Sequence, residues 1–202
     1  MIDLLTAVDI LHGKMILHRD IKPDNILIDK SGRLKLADFG LAKKASFLMR
    51  RKSNAIVSLW YRAPEIILGS EDYFLGVDIW SVGCIFAELF GKRPVFMCKN
   101  EVEVLQKVFY MLGTPSASNC SQFKKLPKYD KLTASLTDYR NGHIRQMYSE
   151  APTEALDLLT KMLCLDPSKR ILAKEALAHP FLNPSCAPTG ANKQLGFRQY
   201  RA

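Results

Sequence analysis

Apolar residues recur at helical spacing from the first turn of the chain. Leu4, Leu5, Val8 and Leu11 fall on one stripe, predicting an amphipathic helix over roughly the first dozen residues. A dense polar segment follows, His18-Arg19-Asp20-Ile21-Lys22-Pro23-Asp24-Asn25. Ile26-Leu27-Ile28, a turn at Asp29-Lys30-Ser31-Gly32, and Leu34-Lys35-Leu36 then predict a short hairpin. Residues 39–59 show no period and are rich in Lys43, Lys44, Arg50, Arg51 and Lys52, which predicts a surface loop. From Val77 to Phe90 the chain is apolar almost all round, the mark of a helix buried on every side.

Asn100 with Glu103 gives a capping-box-like start to a further helix. Its stripe is Leu105, Val108, Phe109 and Leu112, and Gly113 ends it. A loop-rich stretch is expected over 114–152. Helices near 153–165 and 171–179 are stopped by Asp166-Pro167 and by Pro180. No pattern remains after Asn183, so 183–202 is expected to be a loose tail. The fold class expected is mainly α, with a little strand near the start.

Composition narrows the classes. At 202 residues the chain suits one domain or one large lobe, and 48% hydrophobic with 24% charged residues suits a buried core. The net charge of +9 favours acidic or phosphorylated partners without specifying nucleic acid. No apolar run approaches the ~18 residues of a membrane span, and the start lacks a basic leader. The five cysteines are odd in number and form no C-x-x-C, which suits reduced thiols in an intracellular protein.

Three motifs carry chemistry, in order: His18-Arg19-Asp20 with Asn25 five residues on, Asp38-Phe39-Gly40, and Ala63-Pro64-Glu65. A polar Asp-Lys-Asn trio alone would be read as solvated surface; the three motifs together reverse that weighting. On these residues the chain resembles the large, C-terminal lobe of a eukaryotic protein kinase over residues 1–182. The resemblance implies ATP and Mg²⁺ as cofactors and a protein substrate. Asp20 would accept the proton of the substrate hydroxyl, and Lys22 would hold positive charge against the γ-phosphate. Asn25 and Asp38 would be oxygen ligands for Mg²⁺. Asp24 and Leu27 would lie along the nucleotide, Leu27 in the adenine floor. His18 and Arg19 would be structural, Glu65 and Arg170 a buried ion pair, and Asp78 an anchor for the catalytic-loop backbone. Lys22 is the serine/threonine form of this loop, and the Ser58 hydroxyl would contact Asp20 and Lys22.

The run from Ser58 to Gly69, GVDIWSVGCIFAELF at 76–90, LGTP at 112–115 and HPFL at 179–182 resemble the cyclin-dependent kinases. That likeness implies proline after the phosphoacceptor, a cyclin partner, and residence in nucleus or cytoplasm. LKLADFGLAK at 34–43 and HPFLNPSCAPTG resemble the cyclin H-associated, CDK-activating branch, whose members act on other cyclin-dependent kinases and the RNA polymerase II tail. Spacing within the family places an activating phosphosite at Ser53, with Arg19, Lys43 and the basic residues 50–52 as phosphate partners. Two departures stand out: 45–49 lacks the usual Gly and Pro, and Leu172 replaces a helix-capping Thr. Only 17 residues precede His18, and no G-x-G-x-x-G occurs. The expectation is a chain without the N-terminal lobe, weakly active by itself, the alternative being a noncatalytic docking lobe.

Overall fold

The structure is a computed structural model and describes residues 1–44, 58–71 and 74–183. It begins with helix α1 (Ile2–Gly13), strand β1 (Ile16–Leu17), a 3-10 turn (Pro23–Asn25) and strands β2 (Ile26–Ile28), β3 (Leu34–Leu36) and β4 (Lys43–Lys44). A 3-10 turn (Leu59–Tyr61), α2 (Pro64–Ile67), α3 (Gly76–Gly91) and α4 (Glu101–Leu112) follow. After a 3-10 turn (Ser121–Lys125) come α5 (Tyr129–Thr133), α6 (Ile144–Met147), α7 (Thr153–Met162), a 3-10 turn (Pro167–Lys169) and α8 (Ala173–Leu177).

Helix α3 is the axis of the core. Twelve consecutive residues, Gly76 to Ala87, are buried, as an all-round apolar sequence requires. Helix α7 packs on it, with Met162 close over Gly83. Helix α1 lies against α8 and β3. Its buried face is Leu4, Leu5, Val8 and His12, so a histidine completes the stripe and Leu11 is only half-buried.

The β elements are small. Strands β2 and β3 form the expected hairpin, with Ile26 opposite Leu36 and Ile28 opposite Leu34. Strand β4 falls inside the stretch read as loop: Lys43 pairs with Leu17 and Lys44 with Ile16, antiparallel. A two-residue strand of lysines carries no pattern of its own, and its partner lies 26 residues away. The stretch 114–152 likewise holds α5, α6 and the Ser121–Lys125 turn, pieces too short to display a helical period.

Capping follows the sequence with two adjustments. The Asn100 side chain accepts the Glu103 N–H, but the Glu103 carboxylate takes the Lys99 N–H instead of that of Asn100. At α8 the Leu172 side chain offers no acceptor, and the Glu175 carboxylate accepts the Leu172 N–H at 2.9 Å, which retains half of a capping box.

One ion pair ties the distant parts together. Arg170 Nη1 lies 2.6 Å from Glu65 Oε1 and Nη2 2.7 Å from Glu65 Oε2, a two-pronged contact with both partners buried. The remaining guanidinium hydrogens go to the carbonyls of Cys164, Leu165 and Gly76, and the cation sits 4.9 Å from the Trp80 ring centroid. All five donors are therefore used, which offsets the cost of burying the charge.

Three outcomes follow from this packing. Arg170→Met strands the Glu65 charge in the core and should lower unfolding stability by about 3–5 kcal/mol, read from a urea midpoint. Gly83→Ala would normally gain about 0.5–1 kcal/mol in a helix. Here a Cβ would stand 2.8 Å from Leu163 Cδ2 and 3.0 Å from Met162 Cβ, both fully buried residues. Overpacking of about 1–3 kcal/mol should win, and the same denaturation assay should show net loss. Burial pushes the Cys84 thiol far up and the Cys120 thiol up to about 11. Both stay protonated at pH 8, so peptide mapping should find them unmodified by iodoacetamide until the protein is unfolded.

Candidate active site

The site is assembled from three backbone segments that the core pins from below. Asp78 projects from the first turn of α3 and is 1% exposed. Its Oδ1 accepts the Arg19 N–H at 2.8 Å and its Oδ2 the His18 N–H at 2.9 Å. His12 Nε2 stands 3.0 Å from the same Oδ2, and since a carboxylate oxygen only accepts, His12 carries the proton there. His12 is the residue that sequence reasoning missed. The available signal was its position, four residues after Val8 and on the apolar face of α1.

Arg19 has φ of 66°. That left-handed backbone lets two successive N–H groups converge on one carboxylate. In the Arg19 side chain, Nε donates to the Leu41 carbonyl at 2.7 Å. His18 joins the loop to the hairpin: Nδ1 accepts the Asp20 N–H at 3.3 Å, and Nε2 donates to the Ala37 carbonyl at 3.0 Å. This network fixes the tautomer with its proton on Nε2. The ring also meets Phe39 edge-on, with centroids 4.9 Å apart.

Asp20 is 6% exposed and sits at the centre. Lys22 Nζ lies 3.0 Å from Asp20 Oδ2. Asn25 Nδ2 donates to Asp20 Oδ2 at 3.0 Å and to the Asp20 carbonyl at 2.8 Å. Asp20 Oδ1 is buried and has no hydrogen-bond partner. A buried acceptor left unpaired costs about 1–3 kcal/mol, so this oxygen can accept a further hydrogen bond.

The hairpin brings the second carboxylate alongside. With Ile26 opposite Leu36, Asn25 falls opposite Ala37, and the Ala37 N–H donates to the Asn25 carbonyl at 2.8 Å. Asp38 is the next residue. It is solvent-exposed, has φ of 59°, and its Oδ1 accepts the Gly40 N–H at 3.2 Å. Asp24, on the Pro23–Asn25 turn, is exposed, and Leu27 on β2 is 56% exposed.

Ser58 lies apart from this cluster in hydrogen bonding. Its carbonyl accepts the Tyr61 N–H at 3.3 Å, and no hydrogen bond joins its hydroxyl to Asp20 or Lys22. The turn after Ser58 is anchored to α3 and to the segment that precedes α4. Trp60 Nε1 donates to the Cys98 carbonyl at 2.8 Å, Ser81 Oγ to the Tyr61 carbonyl at 2.8 Å, and the Tyr61 hydroxyl to Glu88 at 2.7 Å. Burial, then the Glu88 contact, drives the Tyr61 phenol well above its ordinary pKa, so it stays a donor. Lys43 is exposed on β4, and Ser53 lies outside the described residues.

Among the described residues no group of three His, Cys, Asp or Glu side chains is gathered into a cage. Asn25 Oδ1 and the Asp38 carboxylate are hard oxygens on adjoining backbone segments, a set that fits Mg²⁺ shared with phosphate oxygens. Among the described residues, no helix is long and apolar enough to cross a membrane.

Comparison with known proteins agrees with this geometry. A chain in the crystal structure of the yeast RNA Pol II CTD kinase CTDK-1 complex matches with a TM-score of 0.83 at 36% identity. The match covers 88% of this chain and 59% of that one, so this chain spans well under two thirds of that relative's length. The family model for the protein kinase domain matches residues 1–182, nine-tenths of the sequence, and the chain belongs to that family.

Proposed function

We propose that this chain supplies the catalytic base, the metal ligands and the substrate platform of an ATP-dependent serine/threonine protein kinase of the cyclin-dependent type. The observation that carries the reading is the Asp20 carboxylate, with one oxygen held by Lys22 and Asn25 and the other buried without a partner. A substrate hydroxyl donating to Oδ1 would satisfy that oxygen and be aligned for attack as its proton passes to Asp20. Lys22 places its ammonium where negative charge on a transferring phosphoryl group would build up. Asn25 and Asp38 would hold Mg²⁺, which when bound neutralises phosphate charge and orients the nucleotide. The exposed Leu27 offers an apolar surface beside these groups for the adenine ring, with Asp24 at its side.

The finer reading keeps Ser53 as an activating phosphosite, with Arg19 and Lys43 as partners of its phosphate. It places proline after the phosphoacceptor and a cyclin as partner, in the nucleus or cytoplasm. The similarity to a chain of the CTD kinase complex supports the RNA polymerase II tail as a substrate class, in line with the cyclin H-associated branch. A glycine-rich nucleotide cover is not among the 202 residues, and the large-lobe chain by itself is proposed to turn over weakly.

Transfer of labelled γ-phosphate to a Ser-Pro repeat peptide tests the assignment, using the chain alone and the chain fused behind a kinase nucleotide-binding lobe. Transfer should require Mg²⁺, be faster in the fusion, and fall by about 10²–10⁴-fold in Asp20→Asn with the melting temperature unchanged. Transfer that survives Asp20→Asn, or none in either form, would overturn the proposal.

A further inference from the structure

The buried stripe of α1 is Leu4, Leu5, Val8 and His12. His12 stands four residues after Val8 and is 7% exposed, where the period calls for an aliphatic side chain. A polar ring placed there loses its hydration, and only a hydrogen bond of its own offsets that loss. The bond leaves α1 altogether: Nε2–H donates at 3.0 Å to Asp78 Oδ2, on α3.

Asp78 receives three donors, and they differ in origin. Two are backbone N–H groups of neighbouring residues, His18 at 2.9 Å and Arg19 at 2.8 Å. Both belong to the loop and move with it. The torsion that turns a carboxylate plane is broad, with no sharp staggered well to fix it. Held by the loop alone, the Asp78 carboxylate could turn with the loop and keep both bonds. His12 is the donor from outside the loop. It shares Oδ2 with His18, so the carboxylate is referred to α1. That helix is seated by Leu4, Leu5 and Val8 and by its contacts with α8 and β3. A fixed carboxylate fixes where the two N–H groups must point. Arg19 meets that demand with a left-handed φ of 66°, which a residue carrying a Cβ seldom adopts unaided. Asp20 comes next, its N–H bonded back to His18 Nδ1 at 3.3 Å.

We infer that His12 is a positioning residue for the loop that carries Asp20, acting through Asp78. Its Nε2–H sets the carboxylate, the carboxylate sets Arg19, and Arg19 sets the entry of Asp20 into the site. The inference rests on the kinase reading only where turnover is concerned. The rival account is that His12 fills space in the core, in which case an apolar side chain of similar size serves as well. The two accounts separate on reach. In glutamine, as in histidine, Nε2 lies two bonds beyond Cγ and carries a hydrogen. In asparagine the amide nitrogen stops one bond short, and leucine has no donor.

Amide hydrogen exchange of the full chain, resolved by NMR, tests the coupling. In His12→Leu, exchange at His18 and Arg19 should quicken about tenfold while Val82 and Ala87 of α3 keep their parental rates. His12→Asn should behave as His12→Leu does, and His12→Gln as the parent does. In the chain fused behind a nucleotide-binding lobe, His12→Leu and His12→Asn should lower kcat roughly tenfold or more, with KM for the Ser-Pro repeat peptide unchanged. His12→Gln should restore kcat. Parental exchange at His18 and Arg19 in the Leu and Asn variants would overturn the inference. Acceleration shared equally by the α3 amides, or by His12→Gln, would do the same by leaving His12 a purely structural residue. Exchange is read without turnover, so it decides the role of His12 even if the fusion transfers no phosphate.

Discussion

The whole arrangement depends on a carboxylate that never meets solvent. Asp78 is held in the core by its place on α3, and two consecutive backbone N–H groups and one imidazole converge on it. Holding Arg19 in a left-handed conformation costs roughly 1–2 kcal/mol. Hydrogen bonds to a charged acceptor contribute about 1.5–3 kcal/mol each. The two bonds outweigh the strain, so the core dictates the loop's shape and the loop has no competing preference.

From that anchor the order propagates outward by short steps. His18 passes it to the carbonyl of Ala37, and Ala37 passes it to Asn25 through the hairpin. Asn25 then returns to Asp20 with both of its donated bonds. Within the circuit Asp20 Oδ1 is buried without a partner, and Asn25 makes its two side-chain bonds through Nδ2. The circuit is held where it orients groups and open at these oxygens, which is the character of a binding site more than of a structural network.

Much of this was legible in the sequence, for reasons that differ by element. Helix α3 announces itself because no polar face interrupts it, and the hairpin because its two apolar runs flank an Asp-Lys-Ser-Gly turn. Helix α4 shows both its cap and its stop. Other features carry no local signal. Strand β4 is two lysines whose conformation is set by a partner strand 26 residues earlier. Helices α5 and α6, of five and four residues, are shorter than the window a period needs. The pairing of Glu65 with Arg170 spans 105 residues and was reached only through family likeness. His12 stands near the end of α1, and its role needs Asp78 in view, 66 positions away.

The hairpin also imposes a rule of parity on the chain's history. Side chains along a strand alternate between two faces, so a slip of one residue in β2 or β3 would swing every one of them over. Asn25 and Asp38 are neighbours only because Ile26 stays opposite Leu36. A codon gained or lost in the Asp29–Arg33 turn can be absorbed by a longer or tighter bend. The same event within either strand would leave both oxygen donors in the sequence, intact and chemically unaltered, yet facing apart. Length variation in descendants of this chain should therefore collect at the bend and spare the strands.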